Sequence, residues 1–203
     1  MSPRYGIAID LKRCIACHSC AIACKTENGT PPGVYWSKVL TKEEGRYPGT
    51  KMIFLPLLCM HCQSAPCAEV CPTGATKIRE DGIVVVDYEK CMGCRYCEAA
   101  CPYDARQYVK EIKPYQPDGI FTPYEDVMYS KHATGIVEKC TMCSHRIDQG
   151  LEPACVATCS SAARYFGDLN DMNGDFVKTI ARKGGRQLNA HLGTNPSVYY
   201  IGG

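Results

Sequence analysis

The sequence predicts an α+β, loop-rich fold of two cysteine-built modules, one inserted in the other, with short β-hairpins in place of a large sheet. Three observations predict it. Sixteen cysteines in 203 residues fall into four sets of four, with none left over. Gly at 18 and Pro at 13 punctuate the chain, while one Trp and four Phe leave a modest apolar core for this length. Short β-favouring phrases recur just before cysteine runs: Ile9-Asp10-Leu11-Lys12-Arg13-Cys14 and Val86-Asp87-Tyr88-Glu89-Lys90-Cys91, with Ile136-Val137-Glu138-Lys139-Cys140 as a weaker echo. Cohesion must then come from whatever the cysteines bind, and the chain without it is expected to be poorly folded.

The first set is Cys14, Cys17, Cys20 and Cys24, and the second is Cys59, Cys62, Cys67 and Cys71. The third is Cys91, Cys94, Cys97 and Cys101, and the fourth is Cys140, Cys143, Cys155 and Cys159. Sets one and three are spaced C-x2-C-x2-C-x3-C, and sets two and three end in Cys-Pro. That is the ligand run of bacterial-type ferredoxins, in which the fourth cysteine of a run serves the neighbouring cubane. Sets two and four carry a longer middle gap but lose no ligand, so four [4Fe–4S] clusters are expected.

Taken in order, strands are read at 5–10, 53–57, 76–79, 83–87, 106–109 and 163–167, with Glu80-Asp81-Gly82 turning one hairpin. Short helices are placed after the third cysteine of each run. Only 19 residues, holding that hairpin, separate Cys71 from Cys91. Sets two and three therefore form an inner module over 51–110, and sets one and four an outer module from 1–50 and 111–203. Exchange of the fourth ligand then gives cluster one from Cys14, Cys17, Cys20 and Cys159, and cluster two from Cys24, Cys140, Cys143 and Cys155. Cluster three takes Cys59, Cys62, Cys67 and Cys101, and cluster four Cys71, Cys91, Cys94 and Cys97. Residues 30–49 read as a linking loop. Residues 114–130, with three prolines and three tyrosines, read as an ordered surface insertion or a partner contact.

Structural zinc could also consume sixteen thiolates. It pairs two separated C-x2-C knuckles, however, whereas three cysteines at successive x2 intervals wrap a larger cluster. Disulfides fit worse, because neighbours this dense would scramble. The histidines near the runs, His18, His61 and His145, read as solvated or hydrogen-bonding groups, since each run already has four sulfurs. Lys25, Arg95 and Lys139 adjoin ligands and would raise local reduction potentials, or are plain surface residues. Tyr103 is expected to pack over a cluster.

The formal charge of +2 counts every cysteine as a neutral thiol. Each cubane with four thiolates carries about −2, which brings the loaded protein to about −6. Nothing in that balance favours nucleic acid. The longest uncharged stretch, 52–68, is broken by Pro56, His61 and Pro66 and is no membrane span. The first residues lack the apolar run of a secretory signal, so a soluble chain without its own export address is expected. No dinucleotide or phosphate-binding glycine loop and no radical-type C-x3-C-x2-C run occurs. A cubane held by four cysteines has no open position for substrate, so the chain is expected to move electrons and to leave bond chemistry to a partner.

Nearly the whole chain resembles the four-cluster iron–sulfur subunit of the dimethyl sulfoxide reductase family of molybdenum or tungsten oxidoreductases. The closest look is to those of polysulfide, thiosulfate and respiratory arsenate reductases. The phrases that carry it include Cys24-Lys25-Thr26-Glu27-Asn28, Cys101-Pro102-Tyr103-Asp104-Ala105-Arg106 and Lys139-Cys140-Thr141-Met142-Cys143-Ser144-His145-Arg146. Arg4-Tyr5, Pro31-Pro32-Gly33-Val34, Pro153-Ala154-Cys155 and Phe166-Gly167-Asp168-Leu169 add to it. One departure is Ser160 after Cys159, where such subunits usually have proline.

The resemblance implies a large catalytic subunit with a Mo or W bis-pyranopterin centre and, frequently, an integral-membrane quinone-reactive subunit. Cluster one would face the catalytic subunit and cluster four the membrane side. It also implies a peripheral place on the membrane, on the extracytoplasmic face by export alongside the partner. Two alternatives stay open. One is the small subunit of a non-redox transhydroxylase with largely structural clusters. The other is the electron-transfer subunit of a formate dehydrogenase or hydrogenase.

Overall fold

The structure is a computed structural model that describes residues 2–202. Its elements run β1 (Tyr5–Asp10), α1 (Ser19–Asn28), β2 (Ser37–Glu44), β3 (Lys51–Leu58), α2 (Pro66–Glu69), β4 (Thr76–Ile78), β5 (Val84–Val86), α3 (Tyr96–Ala99) and β6 (Gln107–Tyr108). Then come α4 (Pro123–Tyr129), β7 (Val137–Glu138), α5 (Ser144–Ile147), α6 (Ala154–Ala157), β8 (Arg164–Asp168), α7 (Asp175–Arg182), a 3-10 turn at Ala190–Leu192 and β9 (Val198–Ile201).

The largest sheet has the order β8-β1-β9, with β1 antiparallel to β8 and parallel to β9. Its centre is dry: Ile7, Ala8, Ile9, Val198 and Ile201 are fully buried. Branched aliphatic residues suit a pleated strand covered on both faces. Because β1 leads into set one and β8 leaves set four, their pairing brings the first and last cysteine runs to one edge. Helices α1 and α6, which carry cysteines of those two runs, pack on each other.

Three two-stranded antiparallel ribbons complete the strands. In β4–β5, Gly82 takes φ 80° in the turn and Arg79 N–H donates to the Ile83 carbonyl. The other two ribbons join segments on either side of the residue-51 and residue-110 boundaries. β2 pairs with β3 across Ser37↔Leu58 to Glu44↔Lys51, and β6 pairs with β7.

Residues 30–49 are therefore not only a linking loop, since β2 runs through their middle. Its mixed, charged sequence hid a strand that is half exposed and held by its partner. The helices also depart from expectation. Helices α1, α2, α3 and α6 each include the third cysteine of a run instead of following it, and α1 and α3 start directly after His18 and Arg95. Both of those residues are left-handed, with φ 59° and 63°, and turn the chain sharply into the helix. In the 114–130 segment, α4 opens with a capping box, Thr122 and Glu125 exchanging backbone and side-chain hydrogen bonds, with Pro123 in the first turn. Tyr124 Oη donates to the Thr26 carbonyl at 2.6 Å, so the insertion is docked on the end of α1.

Candidate metal centres

Each C-x2-C knuckle bends the same way. The residue before the second cysteine is left-handed in all four: Ala16 (φ 52°), His61 (φ 44°), Gly93 (φ 71°) and Met142 (φ 55°). Three of these are not glycine, and such a backbone costs about 1–2 kcal/mol for an L-residue. Repetition of one turn in four runs, at that cost in three of them, marks a loop shaped around something at its centre. After the fourth cysteine of three runs, the third residue on is again left-handed: Gly74, Asp104 and Ala162. The backbone folded back there donates to sulfur, from Thr76 N–H to Cys71 Sγ at 3.5 Å and from Ala163 N–H to Cys159 Sγ at 3.2 Å. Met142 N–H likewise reaches Cys140 Sγ at 3.3 Å.

The cysteines converge in fours. Cys14, Cys17, Cys20 and Cys159 line one small cavity. Cys71, Cys91, Cys94 and Cys97 line another. The remaining eight reveal their neighbours electrostatically. Burial pushes the Cys24 thiol well above its ordinary value, and the charges of Cys140, Cys155 and Cys143 push it further. Burial likewise drives Cys62 up to about 12; Cys59 adds to this, the Thr194 hydroxyl opposes it, and Cys67 and Cys101 add again. Anionic sulfurs facing one another in a dry setting require a strongly cationic core between them. Among the described residues no three His, Cys, Asp or Glu side chains are arranged for a single metal ion. The thiols that line the two cavities surround a volume, as ligands of a cubane do, and the residues present fit such groups.

Charges also reach from one quartet to the next. Cys155 is influenced by Cys20, Cys140 by Cys59, and Cys97 by Cys67. Eight of the sixteen thiols are buried, whereas Cys17 and Cys94 are exposed at opposite ends of this series. Exposed apolar side chains lie in the runs of those end quartets, Ile15 and Ile22 in one, Met92 and Tyr96 in the other.

Of the histidines, His61 is fully buried and its Nδ1 accepts from Val84 N–H at 3.1 Å, while burial holds it well below its usual pKa. His145 is bonded to Glu27 at 2.8 Å, and Arg146 reaches the same carboxylate at 3.0 Å, clamping α5 to α1. Lys25 is drawn down to about 8 by burial and donates to the carbonyls of Thr30, Pro31 and Val34. Arg95 pairs with Glu98 at the surface. Lys139, by contrast, is fully buried and donates to the carbonyls of Val84 and Cys140. Tyr103 is buried, its hydroxyl 2.6 Å from Thr194 Oγ1, and burial with the charges of Cys62 and Cys101 raises its pKa despite that contact.

Sequence reasoning gave no role to three groups that touch the ligands. Asn28 Nδ2 lies 3.7 Å from Cys24 Sγ and 3.9 Å from Cys143 Sγ. Arg106 and Arg164 are both buried. The available signal was their equal spacing, each five residues after the last cysteine of a run.

Comparison with known proteins agrees with this chemistry. Two family models described as 4Fe-4S dicluster domains match, one over residues 50–117 and 120–169, the other over 13–75. A provisionally named dimethyl sulfoxide reductase iron-sulfur subunit of Halobacterium salinarum is 48% identical over 213 residues, covering 98% of this chain and 79% of the relative. The arsenate respiratory reductase iron-sulfur subunit of a Shewanella species is 37% identical, covering 98% and 96%. A polysulfide reductase chain of Wolinella succinogenes is 35% identical, covering 99% and 95%. With this identity along almost its full length, the protein belongs to the family of iron–sulfur subunits of dimethyl sulfoxide reductase-type molybdopterin oxidoreductases.

Proposed function

We propose that this chain relays electrons through four [4Fe–4S] clusters between a quinone-linked membrane subunit and a catalytic Mo or W bis-pyranopterin subunit. The clusters supply one-electron storage at successive positions, and the chain supplies thiolates, shielding and docking ends. One observation carries the reading: the cysteines that line each of the two cavities include a member of another run, Cys159 in the first and Cys71 in the second. That is the exchange of fourth ligands expected of ferredoxin-like modules. Neighbouring quartets within reach of each other's charge support a linear order from cluster one to cluster four.

The four ligand sets are Cys14, Cys17, Cys20 with Cys159; Cys140, Cys143, Cys155 with Cys24; Cys59, Cys62, Cys67 with Cys101; and Cys91, Cys94, Cys97 with Cys71. The pairing of β1 with β8 supports an outer module built from both termini around the inner one. Exposed apolar residues beside Cys17 and Cys94 support docking at both ends of the line. No described helix is long and apolar enough to cross a membrane, so quinone contact is assigned to another subunit. A relative 36% identical, from Nitratidesulfovibrio vulgaris, is named as a menaquinone reductase iron-sulfur cluster-binding subunit. The complex is read as peripheral to the membrane. The relatives' names do not favour the transhydroxylase or the formate dehydrogenase and hydrogenase alternatives.

Cys159→Ser tests the exchange. EPR of the loaded chain is expected to show an altered signal for the cluster held by Cys14, with that held by Cys140 unchanged. The opposite pattern would refute the nesting.

A further inference from the structure

Two buried guanidinium groups occupy matching places. Arg106 follows Cys101 by five residues, and Arg164 follows Cys159 by five. In both runs a left-handed residue three positions after the cysteine, Asp104 or Ala162, turns the chain inward ahead of the arginine. Arg106 is 1% exposed and Arg164 is 5% exposed. Each is steadied by one hydroxyl: Arg106 Nη1 donates to Thr76 Oγ1 at 3.0 Å, and Arg164 Nη2 to Ser37 Oγ at 3.4 Å.

Neither arginine forms an ion pair with a carboxylate among the described residues. Arg106 Nε and Nη2 are buried and find no oxygen partner there; what they face are the sulfurs of Cys67 and Cys97. A guanidinium keeps its charge in any protein setting, and a buried, unpaired one is strongly destabilising. The compensating anions are the cysteine sulfurs. Arg164 Nη1 donates to Cys155 Sγ at 3.4 Å and lines the cavity that holds Cys20. Arg106 lines the cavity that holds Cys97 and lies within the field of Cys67 and Cys59. Each cation thus stands between two quartets.

We propose that Arg106 and Arg164 are charge-compensating positioning residues, one at the junction of clusters three and four and the other at the junction of clusters one and two. A fixed positive charge there favours the reduced, more negative state of both neighbours and offsets the repulsion between them. Their charge, held by hydroxyls and not neutralised by carboxylates, keeps each pair of clusters at matched and raised potentials. This rests on the ligand assignment proposed above.

The test is a redox titration, followed by EPR, of the cluster-loaded full chain together with its iron content. Arg106→Gln is expected to lower two of the four centres by about tenfold in the reduction equilibrium, about 59 mV for a one-electron couple, leaving the other two in place. Arg164→Gln is expected to lower the complementary two. Arg→Lys at either site is expected to hold the potentials near those of the unaltered chain.

Full iron content with no centre displaced in Arg106→Gln, or equal displacement in the Lys and Gln variants, would overturn the inference. Should Arg106→Gln fail to retain iron, Arg106→Lys decides: full loading supports a charge requirement, and equal loss points to side-chain shape and overturns it. An unaltered chain with far fewer than about sixteen irons would sink the ligand assignment instead.

Discussion

At Cys17 two hydroxyls converge, Ser19 Oγ at 3.3 Å and Ser160 Oγ at 3.4 Å from the sulfur. Ser160 foremost, then Ser19, holds this exposed thiol down to about 7. A hydroxyl donating to a ligand sulfur stabilises added negative charge, so it raises the potential of the cluster that sulfur holds. Ser160→Ala is therefore expected to lower the potential of the cluster held by Cys14 in an EPR titration. An unchanged potential would mean the hydroxyl points elsewhere once iron is bound.

Asp10 makes a second residue-level prediction. Burial alone would raise its pKa, but Lys183 Nζ at 2.6 Å and the backbone N–H groups of Lys12 and Arg13 hold it below the ordinary value. Its stabilisation is present above the unfolded-state value near pH 4 and is lost as pH falls through the lower folded-state value. Asp10→Asn should lower the denaturation midpoint at pH 7 and narrow its gap from the unaltered chain as pH falls toward 3. A gap that widens toward acid would contradict this. At this scale the candidate ligands were legible because chemistry dictates their spacing. Arg106, Arg164 and Asn28 were not, since a buried charge is recognised by what surrounds it, and that is set by distant segments.

Among the elements, spacing marked the knuckles as candidate ligand loops, while their left-handed residues had no sequence mark except at Gly93. There the mark is strict: a Cβ on Gly93, whose φ is 71°, would collide with the Gly135 carbonyl oxygen. Gly93→Ala should displace the loop between Cys91 and Cys94 and cost the occupancy of one cluster, seen as about four fewer irons per chain. Iron content equal to that of the unaltered chain would count against the role given to this turn. Strands with dense β-branched residues, Tyr5–Asp10 and Val84–Val86, were legible from local pattern. β2 and β9 were not. The first is a charged ribbon stabilised by pairing with β3, and the second is a short parallel edge whose partner lies at the other end of the chain. Non-local pairing leaves little local trace.

For the whole molecule, burial and neighbouring sulfurs push up the thiols of Cys24, Cys62 and Cys140, and on the proposed reading a cationic core neutralises them. On the proposed assignment, the crosswise ligand sets would staple segments far apart in sequence, and the buried cations would balance charge along the line. The ferredoxin-like, loop-rich character was legible because the cysteine count and spacing allow few alternatives. How the ribbons β2–β3 and β6–β7 tie the proposed inner stretch to its surroundings was not, since both pairings cross the boundaries inferred from spacing. The central claim is that every cysteine is a cubane ligand. Metal and acid-labile sulfide analysis of anaerobically purified protein tests it most directly, with about sixteen irons and sixteen sulfides per chain and no stoichiometric zinc as the expected result. About four zinc ions per chain, or iron far short of sixteen in undamaged protein, would contradict it.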